Sequence, residues 1–203
     1  DYSGSRGLGD VYKRQDNKIG TSSLRRKAQL LSMNPQLKVE DIRGNVDTRI
    51  SKMTKGEFDG LVMAAAGIER LGLESYITAY LDSEEMLCAP GQGAISVETR
   101  KGRSEIHNMV SNINHDDTNK CTFYERSFMN ELGGGCNSPI GAFSNILDNK
   151  KKITGTVLSL DGKTVFRDSV ETDIEDDVNI GLLLANKILE SGAQKVIKDI
   201  SNG

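Results

Sequence analysis

The 203 residues, 36% hydrophobic and 27% charged with a formal net charge of −3, suit a soluble globular protein of one or two domains with a real core. No apolar run approaches the roughly 20 residues needed to cross a bilayer, and the N-terminus lacks the basic region and apolar block of a secretory signal, so a cytoplasmic protein without a membrane partner is expected. The three cysteines, Cys88, Cys121 and Cys136, form no CxxC pair, and the two histidines show no ligand spacing; this argues against a disulfide framework and a metal site and leaves at least one free thiol.

Residues 1–16 show no apolar period and form an unassigned leader. From Lys18 the chain becomes regular. Lys18-Ile19-Gly20 ends a short strand, Thr21-Ser22-Ser23 offers N-cap hydroxyls, and Leu24, Ala28 and Leu31 recur at helical spacing until Asn34-Pro35 stops them. Leu37 to Ile42 reads as a second strand, Arg43-Gly44-Asn45 as a turn, and Val46, Ile50 and Met53 as the apolar face of a second helix closed by Gly56. Phe58 to Ala66 is apolar enough for a strand buried on both faces, and Ile68 to Leu71 begins another helical piece. This alternation predicts a mostly parallel α/β domain over 17–87.

Leu87 to Gly93 breaks the pattern. A strand is expected over Ala94 to Thr99 and a helix over Ser104 to Ile113, making 88–114 a crossover between domains; Gln92 fits either a ligand contact or a plain turn. From 115 to 203 the pattern is that of a smaller α+β domain: a long helix over Asp116 to Leu132, and strands near Pro139–Asn145, Ile153–Leu160 and Thr164–Val170. The last two are joined by an Asp161-Gly162 turn, and a helix from about Asp176 to Glu190 follows.

The charge is uneven. Lys13 to Lys55 carries eleven Lys and Arg against four acids, a balance of +7, while 56–203 carries fourteen against twenty-three, or −9. No aromatic residue lies between Lys13 and Lys55 on which bases could stack, so a small polyanion is expected rather than nucleic acid. Arg25 and Arg26 follow the first strand-end turn, Arg43 the second strand, Arg49 lies in the next helix and Arg70 follows the third strand. In a parallel sheet that edge binds ligands, and the planar guanidinium fork grips carboxylates with two hydrogen bonds. Solvated surface arginines are the alternative for each singly, Arg26 and Arg49 above all.

The best candidate for covalent chemistry is Cys136, in Leu132-Gly133-Gly134-Gly135-Cys136. Consecutive glycines mark a loop of unusual backbone angles or one that a ligand approaches closely, and the flanking periodicities place the thiol on a helix-to-strand turn. A glycine C-cap followed by a packed cysteine is the plainer alternative.

Five stretches, Ile19-Gly20-Thr21-Ser22-Ser23-Leu24-Arg25-Arg26, Arg43-Gly44-Asn45-Val46-Asp47-Thr48-Arg49, Ala65-Ala66-Gly67-Ile68-Glu69-Arg70-Leu71-Gly72-Leu73, Pro90-Gly91-Gln92-Gly93-Ala94 and Glu131-Leu132-Gly133-Gly134-Gly135-Cys136, resemble in sequence and order the porphobilinogen deaminase (hydroxymethylbilane synthase) family. The resemblance is close over about Lys18 to Leu147 and looser beyond. It implies a periplasmic-binding-protein-like α/β domain, with 17–87 as the family's second domain, 88–114 as the return portion of its first, and 115–203 as its C-terminal domain. It implies a dipyrromethane cofactor joined by a thioether to Cys136. On it four porphobilinogen units add with loss of ammonia before water releases the linear tetrapyrrole, in tetrapyrrole and haem biosynthesis. It places Ser22, Ser23, Arg25, Arg26 and Arg43 at the cofactor, Ser22 with the weaker support, and Arg43, Arg49 and Arg70 at substrate carboxylates, in a monomer.

The family's lysine-aspartate segment, whose carboxylate assists ammonia loss, has no counterpart here. No residue of the chain takes the catalytic role, and 1–203 alone is expected not to turn over porphobilinogen. A non-catalytic anion-binding module of the periplasmic type is the alternative; it accounts for the arginines but not for Cys136. A cysteine hydrolase is weaker, since neither histidine stands in a recognisable relation to Cys136.

Overall fold

The computed structural model describes residues 17–83, 85–135 and 138–201; residues 1–16 and Cys136 lie outside the described residues. Three short parallel strands, β1 (Lys18–Gly20), β2 (Lys38–Glu40) and β3 (Gly60–Leu61), pair in the order β2-β1-β3, with Ile19 opposite Val39 and Gly60. Helix α1 (Leu24–Met33) joins β1 to β2, and α2 (Val46–Thr54) joins β2 to β3. Both start as their sequences dictate: Ser23 accepts a bond from the Arg26 N–H, and the Asn45 side chain one from the Thr48 N–H. Ile19, Leu30, Leu37, Val39, Val62 and Met86 form the core beneath this sheet.

Three expectations for this half are corrected. The buried face of α1 is Arg25, Ala28, Gln29 and Leu30; of the expected Leu24, Ala28 and Leu31, Ala28 is buried and Leu31 packs against the core, but Leu24 is 38% exposed. Its arginine and glutamine turn inward to hydrogen-bond the 86–93 segment at Leu87 and Gln92. Phe58 to Ala66 is not one buried strand. Its pairing ends at Gly20 opposite Leu61, because β1 turns away at Thr21, and α3 (Ala65–Glu69) then begins. Ala94 to Thr99 forms no strand: Ile95 is 94% and Val97 56% exposed, and alternating apolar residues cannot hold an extended ladder without a neighbouring backbone. Helix α4 (Ser104–Ser111) follows, buries no residue and has no side-chain cap.

The second half is an antiparallel meander, β4 (Ile140–Leu147), β5 (Lys150–Leu158) and β6 (Val165–Asp173), with α5 (Asp116–Glu131) and α6 (Ile180–Ile188) packed against it. Asp148 and Asn149, with φ of 50° and 60°, close β4 onto β5 as a two-residue turn, so these strands meet further along than alternation alone suggests. Phe128 lies over Gly155, where a Cβ would stand 2.5 Å from the ring, and anchors a core with Ile140, Ile153, Val157, Leu184 and Ile188. Helix α6 begins at Ile180 rather than near Asp176, since the Asn179 side chain accepts from the N–H groups of Gly181 and Leu182. A kink at Gly192 (φ 108°) leads into α7 (Gln194–Ser201). Among the described residues no helix is long and apolar enough to cross a membrane.

Candidate functional site

The strand-end turns of the parallel sheet are tied to one another. The Ser22 hydroxyl donates to the Ile42 carbonyl, joining the turn after β1 to the turn after β2, and the buried Thr21 hydroxyl accepts from the Ser23 N–H at 3.3 Å. In the second turn Gly44 takes φ +117°, the Arg49 Nε donates to its carbonyl at 2.8 Å, and Lys52 Nζ donates to the Arg43 carbonyl at 3.3 Å. These bonds set where Arg43 and Arg49 leave the backbone.

A cavity of about 630 Å³ is lined by Arg25, Arg26, Cys88 and Gln92 together with apolar side chains such as Met53, Phe58 and Tyr80. Arg25 is only 6% exposed. Its guanidinium donates to the Leu87 carbonyl and, at 3.3 Å, to Gln92 Oε1. Burial chiefly, then the adjacent Arg26 charge, pulls its pKa down to about 10, with Cys88 opposing, so it stays cationic near neutrality. Arg26 donates to the Val62 carbonyl at 3.1 Å; burial lowers its pKa as well, Cys88 opposes this and the Arg49 charge adds to it. The Arg25 and Arg26 cations thus lie close together in one cavity, with the Arg49 charge near Arg26. Arg43 and Arg70 are exposed and, like Arg49, stand outside the cavity lining.

The segment Met86–Gly93 is a strap between the two sheets. On one side Gln29 and Arg25 hold Leu87; on the other the Ala142 N–H of β4 donates to the Cys88 carbonyl at 3.0 Å. The Gly91 N–H donates to Glu125 of α5 at 2.6 Å, and the Gln92 side-chain amide reaches Cys88 Sγ at 3.5 Å. Sequence reasoning weighed Gln92 and missed Gln29 and Glu125, whose partners lie 58 and 34 residues away. Helix α5 ends where expected: Gly133 takes φ +64°, the Gly134 N–H donates to the Met129 carbonyl, and a Cβ on Gly134 would stand 2.5 Å from Ile140. Gly135 and Ser138 then bond each other twice, Ser138 N–H to the Gly135 carbonyl at 2.9 Å and Gly135 N–H to Ser138 Oγ at 3.1 Å, bracketing position 136. Among the described residues no three His, Cys, Asp or Glu side chains converge as a metal site would require.

Comparison with known proteins bears on both halves. Residues 9–108 match the family model described as porphobilinogen deaminase, dipyromethane cofactor binding domain, and residues 119–190 the one described as porphobilinogen deaminase, C-terminal domain. The chain is 43% identical over 186 residues to the porphobilinogen deaminase of Carboxydothermus hydrogenoformans, covering 92% of this chain and 60% of that protein. It is 41% identical over 183 residues to that of Thermus thermophilus, covering 90% of this chain and 61% of the relative. Against that of a Nostoc species it is 42% identical over 182 residues, covering 90% and 56%. The chain thus spans about three fifths of the length of the relatives it matches. With the two porphobilinogen deaminase family models matched in order along the chain and relatives of that name 41–43% identical over about 90% of it, the chain belongs to the porphobilinogen deaminase family.

Proposed function

We propose that this chain supplies the anion-binding and cofactor-carrying part of a hydroxymethylbilane synthase, which joins four porphobilinogen molecules head to tail with loss of ammonia and then hydrolyses the product from its primer. The observation that carries this reading is that Arg25 and Arg26 together line a largely apolar cavity, with Arg49 close enough to be felt by Arg26. A growing polypyrrole is a lengthening polycarboxylate with apolar rings, and cationic forks beside an apolar wall suit both parts of it.

The donor set fits the dipyrromethane group. Arg25 and Arg26 are fixed by backbone carbonyls and so present preorganised N–H groups to acetate and propionate; Ser22, Ser23 and Arg43 sit on the same two turns. Cys136 is the attachment residue, on a loop whose bracketing glycine and serine are bonded to each other. The dipyrromethane supplies the nucleophilic pyrrole carbon from which the chain grows. Arg43, Arg49 and Arg70 take the carboxylates of incoming porphobilinogen. Residues 17–87, 88–114 and 115–203 act as binding domain, crossover and cofactor-bearing domain, in a cytoplasmic monomer without nucleic-acid or membrane partners.

The test joins residues 17–203 to the part of the Carboxydothermus relative that this chain does not span and supplies porphobilinogen. Linear tetrapyrrole should form, and peptide mapping should find a two-pyrrole adduct on Cys136, absent in Cys136→Ser. A folded chimera with no adduct, or with the adduct on Cys88 or Cys121, overturns the reading.

A further inference from the structure

Glu125 is a carboxylate in the middle of α5, 6% exposed, and all three of its hydrogen bonds go outside its own helix. Oε1 accepts from the Ser144 N–H at 2.8 Å and lies 3.2 Å from the Ser144 hydroxyl, while Oε2 accepts from the Gly91 N–H at 2.6 Å. Strand β4 is an edge strand, so the N–H groups on its outer side need partners. The strap's Cys88 carbonyl takes Ala142, and Glu125 takes Ser144 two residues on. Gly141 permits this approach, since a Cβ there would stand 2.8 Å from the Leu87 side chain and 3.2 Å from the Leu87 carbonyl.

The carboxylate thus continues the strap's pairing with β4 and bends back to hold the Gly91 turn, which has φ +76°. The next residue, Gln92, accepts from Arg25 and lies against Cys88, and all three line the cavity. Nothing else among the described hydrogen bonds fixes the Gly91 N–H.

We propose that Glu125 is a positioning residue for Arg25: by holding the Gly91 turn it sets Gln92 against the guanidinium, so docking of the α5 unit tunes the anion cavity of the other. The consequence for catalysis rests on the function proposed above; the geometric coupling does not. A shape-conserving Glu125→Gln keeps one acceptor oxygen and turns the other into a donor facing an N–H.

The experiment uses residues 1–203 and their E125Q form, with amide exchange and the arginine side-chain N–H signals followed by NMR. In E125Q the Gly91 amide should exchange about 10-fold faster or more, and the Arg25 Nε–H signal, assigned through Arg25→Lys, should move, while Arg43 and the amides of β5 stay as they were. An unchanged Gly91 rate or an unmoved Arg25 signal overturns the proposal. In the chimera E125Q should raise KM for porphobilinogen about 10-fold with kcat little changed, and Glu125→Asp should recover part of the loss. An active chimera whose KM ignores E125Q also overturns it. An inactive parent chimera would count against the proposed function alone, leaving the NMR results to decide the coupling.

Discussion

Gln29 and Leu87 are joined by two hydrogen bonds, the Leu87 N–H to Gln29 Oε1 at 2.9 Å and Gln29 Nε2 to the Leu87 carbonyl at 3.1 Å, so one side-chain amide stands in for the neighbouring strand that the strap lacks. Both residues are buried. Gln29→Leu would strand a donor and weaken the hold on an acceptor in a dry site. It should cost roughly 2–4 kcal/mol, read as a lower urea midpoint with the slope preserved. A midpoint within experimental error of the parent would mean that water or another group serves Leu87 equally well.

The second prediction concerns Gly162, at the tip of the turn between β5 and β6. It takes φ +70°, and a Cβ there would stand 2.6 Å from both the Ala28 carbonyl oxygen and the Ser32 nitrogen of α1. These are helix backbone atoms and cannot give way. Gly162→Ala combines a left-handed penalty of about 1–2 kcal/mol with that clash, so the turn must leave α1. Faster proteolysis in the strap, with the two sheets still folded by circular dichroism, is expected. An unaltered cleavage rate would show that the turn is not a seat for α1.

What could be read in the sequence, and what could not, divides along contact range. Helix α5, the caps at Ser23 and Asn45, and the meander of β4, β5 and β6 follow from periodicity and turn chemistry confined to a few residues. Of the five arginines the sequence singles out, Arg25 and Arg26 line the cavity, whereas Arg49 lies within α2 and Arg70 follows α3 rather than β3. The inward turn of Arg25 and Gln29 in α1 was not readable from the sequence, because a polar residue turns inward only when a distant backbone offers partners, here Leu87, 62 and 58 residues on. Ile95 and Val97 carry a strand's alternation without a strand's neighbours. The Asp148-Asn149 turn was readable from its residue types and was passed over.

A third prediction follows from the Glu125 carboxyl, whose pKa lies above its ordinary value chiefly because it is buried; the bonds from Gly91 and Ser144 and the Arg126 charge oppose this only in part. The folded state therefore binds the Glu125 proton more tightly than the unfolded state does. This contribution to stability is complete below the ordinary carboxylate value and declines as pH rises through the raised folded one. Arg126 and the Cys121 thiol are the charged or titratable groups coupled to it. Glu125→Gln should remove that part of the decline, narrowing the difference in unfolding free energy between about pH 4.5 and 7. Parallel curves for parent and variant would mean that the bonds to Gly91 and Ser144 fully offset burial.

The last prediction separates arginines that build the cavity from those that only bind. Arg25 is buried and donates to the Leu87 carbonyl and to Gln92, so Arg25→Leu should lower stability as well as ligand affinity. Arg43 is exposed, and its hydrogen bond from Lys52 uses the backbone carbonyl, which survives any substitution of the side chain. Arg43→Leu should therefore leave the unfolding curve within about 0.5 kcal/mol of the parent. If Arg43 grips pyrrole carboxylates as proposed, each lost charged bond costs roughly 1.5–3 kcal/mol of binding. Elongation in the Arg43→Leu chimera should then stall, visible as enzyme masses carrying an intermediate number of pyrroles. Lys at the same position should rescue only in part, since an ammonium keeps the charge but not the two-pronged grip. Complete tetrapyrrole formation by Arg43→Leu at the parent rate would return Arg43 to the solvated surface and leave the grip to Arg25, Arg26 and Arg49.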